Sequence, residues 1–125
     1  MKRNALFLLA CLVTACADEP RYVRLDFEVK SSSLVATVVR SEEIQLVAGF
    51  GVAVRARIRS RDEYFEKEDK LTLRADNPAL ATIYPGAEHR EFLLVGLTPG
   101  SGCVQVEIEG EPMECIPLTV VPPLR

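Results

Sequence analysis

Four cysteines and one histidine are the residues of this chain with the most versatile chemistry. A cysteine can form a disulfide, bind a metal or carry a covalent lipid, and a histidine can bind a metal or act as a catalytic base. Cys103 and Cys115 lie near the C-terminus, and His89 lies in the polar stretch GAEHRE. These three residues are too few for a zinc site, and no nucleophile motif accompanies His89. The sequence therefore predicts no metal, no cofactor and no enzymatic activity.

Cys16 lies where an apolar run gives way to charge, in the stretch LVTACADEP. Lys2 and Arg3 precede an uncharged run over residues 4–17. The apolar part of that run, residues 5–13, is shorter than the roughly 20 residues that a membrane-spanning helix needs. A positive start, a short apolar region and small residues before a cleavage point are typical of a secretory signal peptide. We therefore expect an exported protein.

The end of this segment resembles the lipobox of bacterial lipoproteins. Val13-Thr14-Ala15-Cys16 consists of a branched apolar residue, two small residues and the cysteine. The resemblance implies that cleavage removes residues 1–15, that the Cys16 thiol carries a diacylglycerol, and that residues 16–21 form a short tether. Two or three acyl chains anchor a protein durably, whereas one chain binds only marginally. Because Ala17 stands where an Asp favours inner-membrane retention in enteric bacteria, the resemblance implies the outer membrane of a Gram-negative envelope.

Loss of the signal peptide changes the charge and the cysteine count. Without Lys2 and Arg3 the chain has 13 basic and 18 acidic residues, a net charge of −5. A net negative charge does not favour binding to nucleic acid. Cys11 is also lost, so Cys103 and Cys115 are the two cysteines left unmodified. An even pair in an exported protein predicts one disulfide.

Most of the remaining chain alternates apolar and polar residues with period two, which is typical of half-buried β-strands. In residues 22–30, YVRLDFEVK, one face carries Val23, Leu25, Phe27 and Val29. Turn signals such as Asn77-Pro78 separate the later strands. We expect these strands at residues 34–39, 44–47, 52–59, 71–75, 81–84, 92–97, 103–108 and 116–121. Such short strands without a helical period predict one all-β domain, residues 22–125, folded as an antiparallel β-sandwich.

The strand pattern places the cysteine pair. Val104 and Ile116 belong to the inward faces of the last two strands, so Cys103 and Cys115 fall on the outward faces. The two strands flank a hairpin that turns near Glu109-Gly110. The cysteines can therefore face each other at disulfide distance.

Two groups of residues are candidates for a binding surface. The first is a row of alternate positions, Arg55, Arg57, Arg59 and Arg61. This row either grips an anionic glycan such as lipopolysaccharide or forms the solvated side of a strand that pairs with acidic neighbours. The second group is Tyr64 and Phe65 in the charged stretch RDEYFEKEDK, either an exposed contact patch or packed on the sandwich edge. The acidic residues of that stretch and of the last hairpin either hold calcium or form solvated acidic turns, and neither group matches a D-x-D-x-D-G loop.

Four stretches carry a further resemblance: EEIQLVAGFGVAVRARI, LTLRADNPALATI, LLVGLTPGSGCVQVEI and CIPLTVVPP. They resemble the bacterial immunoglobulin-like domains of group 2 over about residues 34–122. The motif positions that match best are Asn77-Pro78 and the run from Gly96 through Gly100 to Val106. Leu73 replaces the family's usual Trp, and residues 61–70 lengthen the preceding connection. The resemblance implies an immunoglobulin-like sandwich and a non-enzymatic module of the kind found in cell-surface and adhesion proteins.

These features predict a lipid-anchored protein of the bacterial envelope whose domain serves binding, adhesion or assembly. Its expected partners are the membrane, reached through Cys16, and an envelope protein or glycan. The alternative is a periplasmic inhibitor or accessory subunit whose loops plug an enzyme or complete a complex. The ligand, the side of the membrane and the oligomeric state stay open at this point.

Overall fold

The computed structural model describes residues 22–31, 37–60 and 70–123. These residues form nine β-strands: β1 Tyr22–Ser31, β2 Val38–Val39, β3 Ile44–Val47, β4 Gly51–Ser60, β5 Leu71–Ala75, β6 Ala81–Pro85, β7 Glu91–Gly96, β8 Gly100–Ile108 and β9 Glu111–Val121. Six of these strands lie within one residue of their expected bounds, whereas β8 and β9 begin three and five residues earlier than expected. Residues 34–36 of the strand expected at 34–39 lie outside the described residues. The described part of the chain contains no helix with the length and apolar character needed to cross a membrane.

The strands form two sheets. The first sheet has the order β1-β4-β7-β6 and the second has the order β2-β3-β9-β8-β5. Neighbouring strands are antiparallel except for β3 and β9, which pair in parallel with Ile44 opposite Leu118. The alternation pattern did not predict this parallel pair, because it assigns residues to faces and not strands to neighbours.

The core lies between the two sheets. β4 shows how the sequence builds it, because Val52, Val54 and Ile58 are buried while the arginines between them face outward. Other strands contribute Leu25, Ile44, Leu46, Leu94, Val104, Val106, Ile116 and Leu118, each almost completely buried. All these side chains belong to one cluster that spans both sheets. The chain is therefore an all-β, immunoglobulin-like β-sandwich, as the sequence predicted.

The prediction of which β1 residues point inward is wrong at the start of the strand. The pairing with β4 shifts between Tyr22 and Arg24, which leaves Val23 at a bulge. A bulge reverses the alternation locally, so the ring of Tyr22 packs on the core while Val23 is exposed. Leu25 and Phe27 keep the expected inward direction, and Val29, beside a second register shift, is exposed.

The topology gives the sandwich two distinct ends. Tyr22 lies opposite Ser60, so β1 begins where β4 ends. The same end, which we call the N-terminal end, carries the β8–β9 hairpin because Glu114 bonds to Tyr22. The opposite end is closed by backbone hydrogen bonds between turns, including Gly49 N–H to Gly96 O at 2.8 Å.

Candidate functional site

The disulfide expected from the sequence is present. Cys103 and Cys115 are joined with a Cα–Cα distance of 5.3 Å, and both are half-buried on the outward face of the second sheet. They form a diagonal pair, since Pro117 lies directly opposite Cys103 and Gln105 lies opposite Cys115. The bond fixes the register of the last hairpin.

A tight contact holds the β5–β6 turn against this hairpin. The Cys103 amide donates to Asp76 Oδ1 at 3.1 Å, and the Asp76 amide donates to the Cys103 carbonyl at 3.0 Å. A Cβ on Gly102 would lie only 2.6 Å from Asp76 Oδ1. A side chain at this position would therefore require the Asp76 carboxylate to move.

The arginine row lies on the outer face of β4, next to acidic side chains. Glu28 of β1 lies opposite Arg55, and Asp26 lies opposite Arg57. Arg55 Nη2 donates to Glu91 Oε2 at 3.0 Å and to Glu88 Oε2 at 3.1 Å. The bond to Glu91 raises the pKa of Arg55, which keeps this guanidinium charged.

The surroundings of the row fit the paired-surface interpretation better than an anion site. A shallow depression of about 230 Å³ lies over β1 and β4, and it is lined by Asp26, Phe27, Glu28, Arg55 and Arg57. Its two carboxylates would repel an anionic glycan. Other predicted site residues, namely Cys16, Arg61, Tyr64 and Phe65, lie outside the described residues.

Tyr22 makes a contact that the sequence did not reveal. Its hydroxyl donates a short hydrogen bond to Glu114 Oε2 of β9 and so ties the first strand to the other sheet. Burial, followed by the bond to Glu114, raises the pKa of Tyr22 far above its ordinary value. The bulge at Val23 turns the ring inward, and a strict alternation cannot show this.

A second feature missed at the sequence level is an apolar area on the outer face of the first sheet. Leu93 on β7 lies between Ala53 on β4 and Tyr84 on β6, and it is 39% exposed. One row further from the N-terminal end, Val95 lies between Gly51 and Thr82. We call these six residues the β4–β7 patch. The sequence feature that could have revealed this patch is the run FLLV. It is apolar at consecutive positions and therefore on both faces of β7.

The remaining candidates for chemistry are dispersed. His89 is exposed in the turn between β6 and β7. In the hairpin region Glu107 pairs with Arg74, and Glu109 accepts a hydrogen bond from the Lys70 amide. Within residues 22–31, 37–60 and 70–123, no three His, Cys, Asp or Glu side chains are grouped so that they could hold a metal ion.

One comparison with solved structures supports the fold. The structure of domains 1–6 of the surface layer protein SbsC matches 84% of this chain with a TM-score of 0.53 and 14% sequence identity. The S-layer protein SbsC domains 4 and 5 match 81% of the chain with a TM-score of 0.49 and 13% identity. The matches span only 14% and 54% of those two chains. No protein-family model matches the sequence, and no curated protein is significantly similar to it.

Proposed function

We propose that this protein is a lipid-anchored lipoprotein of the bacterial cell envelope whose immunoglobulin-like domain serves binding or assembly and not catalysis. The observation that carries the proposal is the lipobox-like stretch Val13-Thr14-Ala15-Cys16 at the end of a signal-peptide pattern. The sandwich supports it, because the domain begins at Tyr22, only a few residues after Cys16. A sandwich of the kind seen in the surface layer protein SbsC suits an envelope role.

The tether keeps the domain close to its membrane. Residues 17–21 span at most about 18 Å when fully extended. The first strand begins at the N-terminal end of the sandwich, so that end faces the lipid and the opposite end points away. Such a short reach favours contacts within the envelope over long-range adhesion. Ala17 after the lipidated cysteine supports an outer-membrane location.

The nature of the surface supports binding over catalysis. The arginine row is interleaved with carboxylates, and His89 is exposed in a turn apart from the cysteine pair. The disulfide and the continuous core give a rigid body that presents fixed surfaces to a partner. The role is therefore that of a scaffold held at the membrane.

The Cys16→Ser variant tests the proposal. Cells that express the wild type should incorporate labelled palmitate into the protein, and the protein should sediment with membranes. The variant should incorporate no label, because it lacks the thiol that accepts the diacylglycerol. The matched control is Cys11→Ser, which alters a cysteine inside the signal peptide and should leave labelling unchanged. Wild-type protein that carries no label and stays in the soluble fraction would refute the lipoprotein assignment.

A further inference from the structure

We propose that the β4–β7 patch binds the same patch of a second copy, with the two copies related by a two-fold axis parallel to the strands. The proposal begins with β7. Phe92 and Leu94 of this strand are buried in the core, while Leu93 and Val95 face outward. A strand that is apolar on both faces is normally covered on both. The outer face of β7 therefore has the composition of a buried surface.

The patch is contiguous and uncharged. Its residues form two rows across three strands, Ala53–Leu93–Tyr84 and Gly51–Val95–Thr82. A Cβ on Gly51 would lie 3.2 Å from Leu93 Cδ1 and 3.4 Å from Val95 Cγ2, so these side chains meet over the glycine. Charge begins in the next row, with Arg55 opposite Glu91. An apolar centre with a charged border is the usual anatomy of a protein interface.

The two central strands of the patch differ in side-chain size. On β4 it has the small residues Gly51 and Ala53, and on β7 it has the larger Val95 and Leu93. An axis parallel to the strands and between β4 and β7 places β7 of each copy over β4 of the other and β6 over the partner's β1, so the contact between the two patches is made by the β4 and β7 residues. Leu93 then lies over the partner's Ala53, and Val95 lies over the partner's Gly51. The large Leu93 side chain therefore meets a small residue, whereas Val95 meets the partner's own Leu93 and Val95 side chains, which lie over Gly51.

The same axis matches the charges at the border. Arg55 of each copy lies over the partner's Glu91, which gives two ion pairs across the interface. An axis perpendicular to the strands through the Leu93 row would instead place Arg55 and Glu91 over the partner's Gly51–Val95 row. That arrangement covers the Arg55–Glu91 pair with uncharged residues, so the pair loses water without gaining a charged group across the interface, which is unfavourable. The charges thus favour the parallel arrangement over this perpendicular one.

The parallel arrangement also agrees with a membrane anchor; this step alone rests on the proposed function. Both copies keep the same strand direction, so both N-terminal ends lie on one side of the dimer and both lipids can enter one membrane. Strand spacings give the two patch rows, across three strands, an area of about 200 Å² per copy. A stable dimer buries about 800 Å² per partner. The dimer is therefore weak in solution and strengthened by confinement on a membrane.

Sedimentation of the unlipidated chain that begins at Ala17 tests the dimer, since this chain contains both sheets and the whole core. We expect a reversible monomer–dimer equilibrium. Leu93→Lys, at an exposed position, should weaken dimerisation by about tenfold or more. The control Thr119→Lys, on the outer face of the second sheet, should leave it unchanged. Circular dichroism confirms that both variants fold. A wild type that is wholly monomeric at about 1 mM, or equal dimerisation by the two variants, overturns the proposal.

A mixing experiment tests the axis. R55E alone and E91R alone place like charges over each other across the interface and should both be monomeric. An equal mixture of the two should dimerise about as well as the wild type, because each chain then offers the charge that the other needs. A mixture that stays monomeric while the wild type dimerises overturns the parallel arrangement.

Lipid is the competing occupant of the patch. Sedimentation of the unlipidated chain with phosphatidylethanolamine–phosphatidylglycerol vesicles, lost in Leu93→Lys, would assign the patch to the membrane surface and overturn the dimer. These experiments use a chain without the lipid, so their outcome is independent of whether Cys16 is acylated. A dimer with no acylation would retain this inference and refute the proposed anchoring.

Discussion

At the scale of single residues, the Tyr22 hydroxyl makes stability depend on pH. Its pKa is raised above the ordinary value of 10.0 by burial and by the bond to Glu114. The folded chain therefore holds this proton more tightly than the unfolded chain does. The resulting stability is complete below pH 10 and is lost as the pH rises above it. Between about pH 9 and about pH 11, the wild type should lose about 1 kcal/mol more than Tyr22→Phe.

Urea unfolding at several pH values measures this difference. At neutral pH, Tyr22→Phe should be about 1 kcal/mol less stable than the wild type, because Glu114 loses its donor. Tyr84→Phe is the matched control, since Tyr84 is exposed on β6. Equal pH profiles for the wild type and Tyr22→Phe would show that the hydroxyl does not retain its proton in the folded state.

Gly96 illustrates a residue selected by close approach. A Cβ at this position would lie 2.8 Å from the Val47 carbonyl oxygen and 3.2 Å from Leu46 Cβ, where the first sheet meets β3 of the second. Backbone atoms cannot move aside as a flexible side chain can. Gly96→Ala should therefore lower the free energy of unfolding by about 2 kcal/mol. Thermal unfolding measures the loss, and an unchanged melting temperature would contradict the tight contact between the sheets.

At the scale of elements, the disulfide stabilises the β8–β9 hairpin. It closes a short loop, because Cys103 and Cys115 are separated by 12 positions. Removing both cysteines as C103A/C115A should lower the free energy of unfolding by about 3 kcal/mol, through the greater freedom of the unfolded chain. Urea unfolding under oxidising conditions measures the change. Reduction of the wild type by dithiothreitol should give a similar loss. If neither treatment changes the transition, the cross-link has no stabilising role.

The strands were predictable because each has a polar and an apolar face. In β4, every second residue is buried, and the pattern placed the strand almost to the residue. The outward position of the cysteines followed from the same rule, and the structure contains their disulfide. The group 2 assignment and the lipid on Cys16 stay predictions.

Three features could not be predicted from the period-two alternation, for physical reasons. The bulge at Val23 depends on the register with β4, which one strand's own sequence does not contain. The parallel pairing of Ile44 with Leu118 joins segments far apart in the chain. The β4–β7 patch becomes visible only when the register places Ala53, Leu93 and Tyr84 side by side. Period and composition describe strands one at a time, whereas these features belong to pairs and triplets of strands.

At the scale of the whole molecule, strand direction and the short tether would together set the orientation of the proposed lipoprotein on its membrane. β4 has ten residues and is about 34 Å long, so the two ends of the sandwich differ in height by nearly twice the reach of residues 17–21. Tyr22 begins at the N-terminal end, whereas the turn at Thr98 lies at the opposite end. The N-terminal end is therefore the one that the proposed anchor holds near the lipid.

Energy transfer from a dye on the domain to an acceptor in the bilayer measures this orientation. The lipidated protein in vesicles would carry the dye on an added cysteine, either Glu111→Cys in the β8–β9 hairpin or Thr98→Cys at the opposite end. Transfer should be more efficient from position 111, because transfer falls steeply with distance and the tether holds that end close. Both labelled chains should show the same melting temperature as the wild type. Equal transfer from the two positions would mean that the sandwich lies flat, and more efficient transfer from position 98 would mean that it is inverted.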